Sequence, residues 1–190
     1  MPIVPILLGI LGAVALFYAV SLYNNLVQIK MAVAKAWANI DVLLKQRHDE
    51  LPKLVEVCKQ YKHFEQETLE RVISARAQVQ AAGNGQNVAA LGQAENALRS
   101  SLGGLFAVAE AYPDLKTNQT YMQLQSRITG LENSIADRRE FYNESVNIYN
   151  VGIAQFPASL LASRFNFTTK PLLEFTEAEK TDVDIKALFS

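Results

Sequence analysis

Two histidines, His48 and His63, are the only imidazoles in the chain, and an imidazole can bind a metal ion or transfer a proton. His63 and Glu67 are one helical turn apart, a spacing that can supply two ligands of an incomplete metal site. Neither histidine has a second histidine or a cysteine at a recognised ligand spacing, and the Glu-x-x-His motifs of di-iron bundles do not occur. A solvated helix face explains His63 and Glu67 better, so we predict no metal site and no cofactor.

The motifs that build the common active sites are also missing from the sequence. It contains no G-x-S-x-G nucleophile elbow, no phosphate-binding P-loop, no G-x-G-x-x-G and no kinase signature. Cys58 is the one cysteine, so no intrachain disulfide can form, and its place on an apolar stripe predicts packing rather than reactivity. We therefore predict no enzymatic activity and no small-molecule substrate.

Two tyrosine and asparagine pairs, Tyr142-Asn143 and Tyr149-Asn150, are seven residues apart and so share one face of a helix. Each tyrosine ring can fill a layer of a helical core while its hydroxyl reaches the rim, and each asparagine can bridge to a neighbouring helix. The alternative is an interaction strip for a partner protein. We favour packing, because large aromatic side chains are mostly buried.

Three charged residues, Arg47, Glu95 and Arg138, stand where the three- and four-residue spacing of apolar positions predicts core side chains. Counted from the loop near Pro113, Glu95 and Arg138 fall within about one turn of each other on antiparallel helices, where they could pair. The alternative is that both long side chains extend to water. Neither arrangement implies catalysis.

The elements that position these residues begin with an apolar segment, residues 3–22, which has no charged side chain. At about 1.5 Å per residue, a helix of this length crosses the hydrocarbon core of a bilayer, about 30 Å thick. No lysine or arginine precedes the segment, whereas the first four that follow it are Lys30, Lys35, Lys45 and Arg47. The positive-inside rule then predicts a single-pass, uncleaved signal-anchor with its N-terminus outside and residues 24–190 in the cytoplasm.

Small residues recur along the apolar segment, at Gly9, Gly12, Ala13, Ala15 and Ala19. Small side chains four residues apart allow two membrane helices to approach closely. These residues could therefore form a contact face between anchors. Ordinary membrane-helix composition is the alternative that we favour.

Beyond the anchor, apolar residues recur at three- and four-residue steps, which predicts an all-α protein. We expect an N-terminal transmembrane helix followed by an antiparallel four-helix bundle with long helices over residues 24–48, 52–82, 86–112 and 117–156. The first two segments are separated at Pro52, where we expect the chain to fold back. The rival is one long kinked helix whose apolar stripe is buried against other subunits. A net charge of −1 gives no electrostatic case for nucleic-acid binding.

We therefore predict three parts of the chain: an anchor, residues 1–23, a helical bundle, residues 24–157, and a mostly irregular C-terminal tail, residues 158–190. The tail has too many apolar side chains to predict simple disorder. They are Phe165, Phe167, Leu172, Leu173 and Phe175. We expect the tail to strap across the bundle or to meet a neighbouring subunit.

Several short sequences, taken together and in order, resemble the LemA family of bacterial membrane proteins. They span residues 23–157 and include Tyr23-Asn24, Ala36-Trp37-Ala38-Asn39-Ile40-Asp41, Leu51-Pro52, Ala75-Arg76-Ala77, Glu110-Ala111-Tyr112-Pro113-Asp114 and Arg139-x-x-Tyr142-Asn143. The chain departs from the family in having His63-Phe64-Glu65 where members often have His-Glu ahead of a Glu-Thr-Leu stretch. Beyond Pro157 we expect the resemblance to fade.

The resemblance implies a single-pass N-terminal anchor, a helical bundle in the cytoplasm and a location in the bacterial inner membrane. It supplies no catalytic residue and no cofactor. Family members that act in magnetosome formation suggest work on membranes, and association with membrane-bound metalloproteases suggests envelope quality control.

These observations favour a non-enzymatic scaffold that contacts membrane lipid, self-associates and organises or remodels the inner membrane. The candidate packing or contact residues are Trp37, Asp41, Arg47, Glu95, Tyr112, Arg138, Tyr142, Asn143, Tyr149 and Asn150. One alternative is an adaptor or regulator of a membrane-bound metalloprotease. Another is an unrecognised enzyme, whose best sign would be a metal retained near His48 or His63.

Overall fold

The computed structural model describes residues 3–61, 64–84 and 87–174, and every regular element within them is a helix. The elements are α1 (Ile3–Lys59), α2 (Gln66–Asn84), α3 (Val88–Ala109), α4 (Pro113–Lys116), α5 (Gln119–Ala154) and α6 (Ala158–Arg164). The all-α prediction is confirmed. Asn118 caps α5 as its position suggests, because its Oδ1 accepts a hydrogen bond from the Tyr121 amide at 3.1 Å.

The first helix differs most from expectation. α1 has 57 residues and continues from the apolar segment through Pro52 to Lys59 without a break. The prediction that the chain folds back near Pro52 is therefore wrong, and the separate helices 24–48 and 52–82 do not exist. The chain leaves α1 at Lys59 instead and enters α2 at Gln66.

Helix α1 tolerates Pro52 because another side chain supplies the missing hydrogen bond. Proline has no amide hydrogen, so the carbonyl four residues earlier, that of His48, loses its helical donor. Arg76 of α2 replaces this donor, with its Nε donating to the His48 carbonyl oxygen at 3.1 Å. The Nη2 of Arg76 also lies 2.6 Å from Nε2 of the His48 ring.

Apolar burial holds the same stretch of α1 in place on both sides of the proline. Leu51, Leu54 and Cys58 are fully buried. Burying side chains of this size stabilises the folded state by about 1.5 to 3 kcal/mol each, so packing can offset the lost helical bond.

The structure divides into two compact units, and α1 and α5 contribute residues to both. The first unit contains residues 3–39 and 140–171. Its core is formed by Leu26, Val33, Ala36, Tyr142, Val146, Tyr149, Ile153 and Ala162. The large apolar side chains of residues 3–20 lie outside this core and are exposed.

The second unit contains residues 40–139 and, at its C-terminal end, residues 172–174. Arg47 of α1 contacts Glu132 of α5, and Glu50 contacts Arg127, so these parts of α1 and α5 run antiparallel. α2 and α3 pack against each other, and residues 85–87 connect them. A four-helix bundle is confirmed here, but it is built from the C-terminal part of α1, α2, α3 and the N-terminal part of α5 rather than from the four predicted segments. The continuity of α1 is that of the alternative with one long helix.

The predicted tail contains one short helix, α6, and no regular structure follows it over residues 167–174. Phe165, Phe167, Leu172 and Leu173 belong to the described part of this tail. Leu173 is buried, with 1% of its surface exposed. Phe175 and the rest of the tail lie outside the described residues, as does His63.

Replacing Arg76 with alanine should lower the free energy of unfolding by about 2 kcal/mol, because a carbonyl and an imidazole lose a charged donor. In a Pro52→Ala background, the amide of residue 52 can donate to the His48 carbonyl. The same Arg76 substitution should then cost about 1 kcal/mol less. Thermal unfolding of the four full-length proteins in mild detergent, followed by circular dichroism, measures the difference. Equal costs in the two backgrounds would contradict this explanation of Pro52.

Candidate functional site

Among the described residues of the second unit, the most deeply buried charge belongs to Arg47, which has 1% of its surface exposed. Its Nη2 donates to both carboxylate oxygens of Glu95 on α3, each at 2.6 Å. Its Nη1 donates to Oε1 of Glu132 on α5, also at 2.6 Å. One guanidinium therefore joins three helices through charge-assisted hydrogen bonds, the strong class of hydrogen bond in proteins.

Burial and charge oppose each other within this cluster. Burial raises the pKa of the Glu95 carboxyl, the guanidinium of Arg47 acts against this shift, and the neighbouring Glu132 adds to it. Burial acts to lower the pKa of Arg47, but the two carboxylates outweigh it and raise that pKa. The cluster is thus a structural ion pair network, with Arg47 held in its charged form.

The predicted neighbour of Glu95 was Arg138, but the structure places Arg47 there and leaves Arg138 exposed. The next residue, Arg139, is buried instead, with 4% of its surface exposed. Arg139 Nη2 donates to the backbone carbonyl of Glu174 at 3.0 Å. The spacing of Arg139, three residues before the buried Tyr142, would have predicted that Arg139 is buried, because residues three apart share a helix face.

Three of the four side chains in the tyrosine and asparagine pairs, those of Tyr142, Tyr149 and Asn150, hold the extended segment 168–171 in the first unit. The Tyr149 hydroxyl donates to the Thr168 carbonyl at 2.9 Å, and the Tyr142 hydroxyl donates to the Pro171 carbonyl at 3.2 Å. Asn150 makes two bonds to one residue: its Nδ2 donates to the Lys170 carbonyl, and its Oδ1 accepts from the Lys170 amide, each at 2.9 Å. We call these three side chains and segment 168–171 the C-terminal clamp.

The spacing of the clamp follows from the geometry of a helix beside an extended chain. Seven residues of helix rise about 10.5 Å, and three residues of extended chain span about 10 Å. Tyrosines seven apart on α5 therefore match carbonyls three apart on the segment. Burial raises the pKa of both tyrosine hydroxyls, which keeps them protonated as donors.

Aromatic contacts extend the clamp in both directions. The Tyr23 ring centroid lies 4.8 Å from that of Phe165 and 6.0 Å from that of Phe167. Trp37 packs edge-on against Tyr142, with 5.4 Å between ring centroids. The expectation that the tail straps across helices is therefore met over residues 165–171 in this unit.

The next residues of the tail, 172–174, pack in the second unit against α3. A Cβ atom built on Gly92 would lie 3.3 Å from the Glu174 backbone oxygen. A glycine at this point lets the chain pass close to the helix.

The remaining predicted residues do not form a reactive cluster. Asp41 is exposed, and Tyr112 is half-buried with its ring centroid 5.2 Å from that of Phe64. Asn143 is half-buried. Burial raises the pKa of the Cys58 thiol to about 12, so it is an inert core group. Within residues 3–61, 64–84 and 87–174, no three His, Cys, Asp or Glu side chains gather where they could hold a metal ion.

The small residues of the apolar segment lie away from the packed helices. Nothing approaches within 4 Å of a Cβ built on Gly9 or Gly12. Ala13 and Ala15 are exposed, and Ala19 is half-buried. α1 contains the one candidate span in the described part of the chain, with mean hydropathy 2.5 and no residue of that span buried.

Removing the charge of Arg47 should be among the most costly single changes in the bundle. Arg47→Met leaves two carboxylates without their cation, and we expect a loss of about 3 to 5 kcal/mol in the free energy of unfolding. The loss should shrink as the pH is lowered, because burial raises the pKa of Glu95 and Arg47 acts against this shift. Without Arg47 that pKa rises further, so the folded variant takes up a proton more readily than the folded wild type. Arg138→Met is the control, because Arg138 is exposed. It should change the unfolding temperature little at any pH. A pH-independent loss for Arg47→Met would contradict the assignment.

The clamp can be tested at a single amide. Asn150→Ala removes the acceptor of the Lys170 N–H, so hydrogen exchange at Lys170 should accelerate by about ten-fold, equivalent to about 1.4 kcal/mol. Asn147→Ala, at an exposed position on the same helix, is the matched control and should leave this exchange unchanged. Unchanged exchange at Lys170 in both variants would show that the clamp does not hold the segment.

Comparison of the sequence with known proteins places the chain in a family. The sequence profile of the LemA family matches residues 36–187. The chain is 26% identical to Protein LemA of Metamycoplasma hominis over 176 residues, covering 90% of this chain and 78% of that protein. The family match extends through the tail, so the expectation that the resemblance fades beyond Pro157 is wrong.

Two further relatives are magnetosome proteins. Magnetosome protein MamQ 2 of Paramagnetospirillum magneticum is 31% identical over 96 residues, which is 50% of this chain and 35% of that protein. Magnetosome protein MamQ of Magnetospirillum gryphiswaldense is 35% identical over 80 residues, which is 42% of this chain and 29% of that protein. The matches therefore span about a third of the length of these relatives.

Proposed function

The chain belongs to the LemA family, and we propose that it is a non-enzymatic, membrane-anchored helical scaffold that self-associates and organises the bacterial inner membrane. The family membership and the apolar N-terminal helix together identify a membrane protein. The scaffold role rests on which apolar surfaces the folded chain leaves uncovered.

The first uncovered surface is the apolar segment of α1. Its large side chains from Ile3 to Val20 are at least half exposed, from 50% at Val20 to 79% at Phe17. Side chains of this kind are each stabilised by about 1.5 to 3 kcal/mol on leaving water, and a bilayer provides that environment. The lysines that follow the segment favour an orientation with the N-terminus outside and the helical units in the cytoplasm.

The second uncovered surface, a stripe on α5 in the first unit, is the observation on which self-association depends. Phe141, Ile148 and Val151 are 48%, 55% and 49% exposed. At about 100° per residue, they face away from the buried side of α5, where Tyr142 and Tyr149 lie. We call Phe141, Ile148 and Val151 the α5 seam.

The α5 seam has the spacing of a coiled-coil contact. Steps of seven and three residues correspond to the a and d positions of a heptad, which insert between side chains of a second helix. A groove of about 510 Å³ borders the seam, and Ile29 of α1, Ile148 and Val151 line its apolar part. The polar side chains of Asn25, Glu144, Asn147 and Gln155 line the rest of it. A helix from another copy of the chain would bury these side chains.

Membrane attachment favours such a contact between copies. Anchoring confines the copies to one surface and raises their effective concentration without any new contact. A seam of only three apolar side chains, too small for strong association in solution, is then sufficient. An assembly of anchored bundles would collect and order the membrane beneath it, and the magnetosome relatives support a membrane-associated role.

The mass of the full-length protein in mild detergent tests self-association. The wild type should form a discrete particle larger than a monomer, and Ile148→Glu with Val151→Glu should reduce its mass, because buried carboxylates oppose the contact. Light scattering coupled to size-exclusion chromatography measures both. Met122→Glu is the matched control, since Met122 is an exposed apolar side chain on α5 outside the seam.

A monomeric wild-type particle would contradict the scaffold. If that monomer crosslinks in its native membrane to a metalloprotease, the adaptor alternative would replace it. A mass that falls equally for the seam and the Met122 variants would assign the effect to general destabilisation instead.

A further inference from the structure

The corner between α5 and α6 presents an apolar surface that neither the helical core nor the α5 seam uses. Phe156 is 81% exposed, the highest value among the large apolar side chains of the described residues. Leu160 and Phe165, further along the chain, are 65% and 52% exposed. Apolar side chains clustered in this way usually mark a contact surface.

This corner lies level with the start of the α1 segment that follows the membrane span. A Cβ built on Gly152 of α5 would come within 2.6 Å of Ile29 Cδ1 on α1. Within this unit α5 runs antiparallel to α1, as the pairing of Trp37 with Tyr142 shows. Four residues beyond Gly152, about 6 Å further along, the chain reaches Phe156 at the level of Asn25.

The ring contacts of Tyr23 fix the same level independently. Tyr23 directly follows the apolar segment 3–22, and its ring packs against Phe165, the residue after α6. Tyrosine side chains at this position belong to the interfacial belt of a membrane helix. The α5–α6 corner is therefore within about one helical turn of the end of the span.

The charges of this end of the molecule are of one sign. Within residues 3–34 and 148–171 the sequence contains no aspartate or glutamate, and its charged residues are Lys30, Arg164 and Lys170. Leu160 and Arg164 are one turn apart on α6 and so share a face, where Arg164 is exposed. An apolar side chain beside a cation suits the boundary between acyl chains and anionic headgroups.

We propose that the α5–α6 corner, through Phe156 and Leu160 with Arg164 above them, inserts into the headgroup region of the bilayer that α1 spans. The bilayer fits better than a second copy of the chain, because two such corners would bring like charges together. The surface is also continuous with the membrane segment through the contact of Tyr23 with Phe165. The protein then meets one leaflet at two points, and the first unit is held at the membrane surface.

This proposal depends on membrane attachment and not on self-association, so it can fail or succeed separately from the scaffold. A nitroxide spin label can be attached to Phe156→Cys or Leu160→Cys in the full-length protein, because Cys58 is fully buried. The labelled protein is reconstituted in vesicles of phosphatidylcholine and phosphatidylglycerol. Oxygen, which concentrates in acyl chains, and a water-soluble nickel chelate then report the surroundings of the label.

At positions 156 and 160 we expect collisions with oxygen to exceed those with the nickel chelate, whereas Met122→Cys, the exposed control, should show the reverse. The preference for oxygen should persist in the Ile148→Glu, Val151→Glu background. It should weaken at position 160 when Arg164 is replaced with glutamine or when phosphatidylglycerol is omitted.

A label at 156 and 160 that favours the nickel chelate would overturn the proposal, and low access to both reagents would identify a protein contact instead. Insensitivity to Arg164 and to phosphatidylglycerol would overturn the electrostatic part.

Discussion

The continuity of α1 through Pro52 is the constraint on which the rest of this structure depends. A proline inside a helix leaves one carbonyl without its donor, which normally bends or ends the helix. Here Arg76 donates to that carbonyl from α2, and Leu51 and Leu54 are buried on the same turn. One helix therefore contains both the apolar segment and one of the four helices of the bundle in the second unit.

Once α1 is fixed, buried polar contacts select the register of the other helices. Arg47 binds carboxylates on α3 and α5, and a guanidinium has the planar geometry to hold both at once. The C-terminal chain is bound through its backbone, by the clamp in one unit and by Arg139 in the other. Such contacts are costly to leave half-made, which gives the folded arrangement its specificity. Of the charged residues that the sequence places in apolar stripes, Arg47 and Glu95 are thus explained by their ion pair.

Periodicity and apolar composition were sufficient to predict the helical class, the apolar N-terminal helix and the positions of α3 and α5, because these features depend on local sequence. The course of α1 at Pro52 was not predictable, since the compensating group, Arg76, is distant in sequence and meets His48 only in the folded chain. The choice between Arg138 and Arg139 depends on a rotation of about 100° around a long helix, and stepwise counting accumulates that much error. The tyrosine and asparagine pairs were recognised, but their partner is irregular backbone, which has no sequence pattern.

The fold accounts for the buried side chains of the chain but not for its exposed apolar surfaces, which must be explained by function. The core, the charge cluster and the clamp satisfy the interior of the chain, whereas the α5 seam leaves apolar side chains in water at heptad spacing. On the proposed function, another copy of the chain covers this seam at the membrane surface. Oxidative crosslinking of Ile148→Cys in native membranes tests it most directly, because a disulfide forms only when two Cα atoms come within about 7 Å. We expect a crosslinked dimer of the chain for Ile148→Cys and none for Met122→Cys. No self-crosslink at 148, or equal crosslinking at both positions, would contradict it.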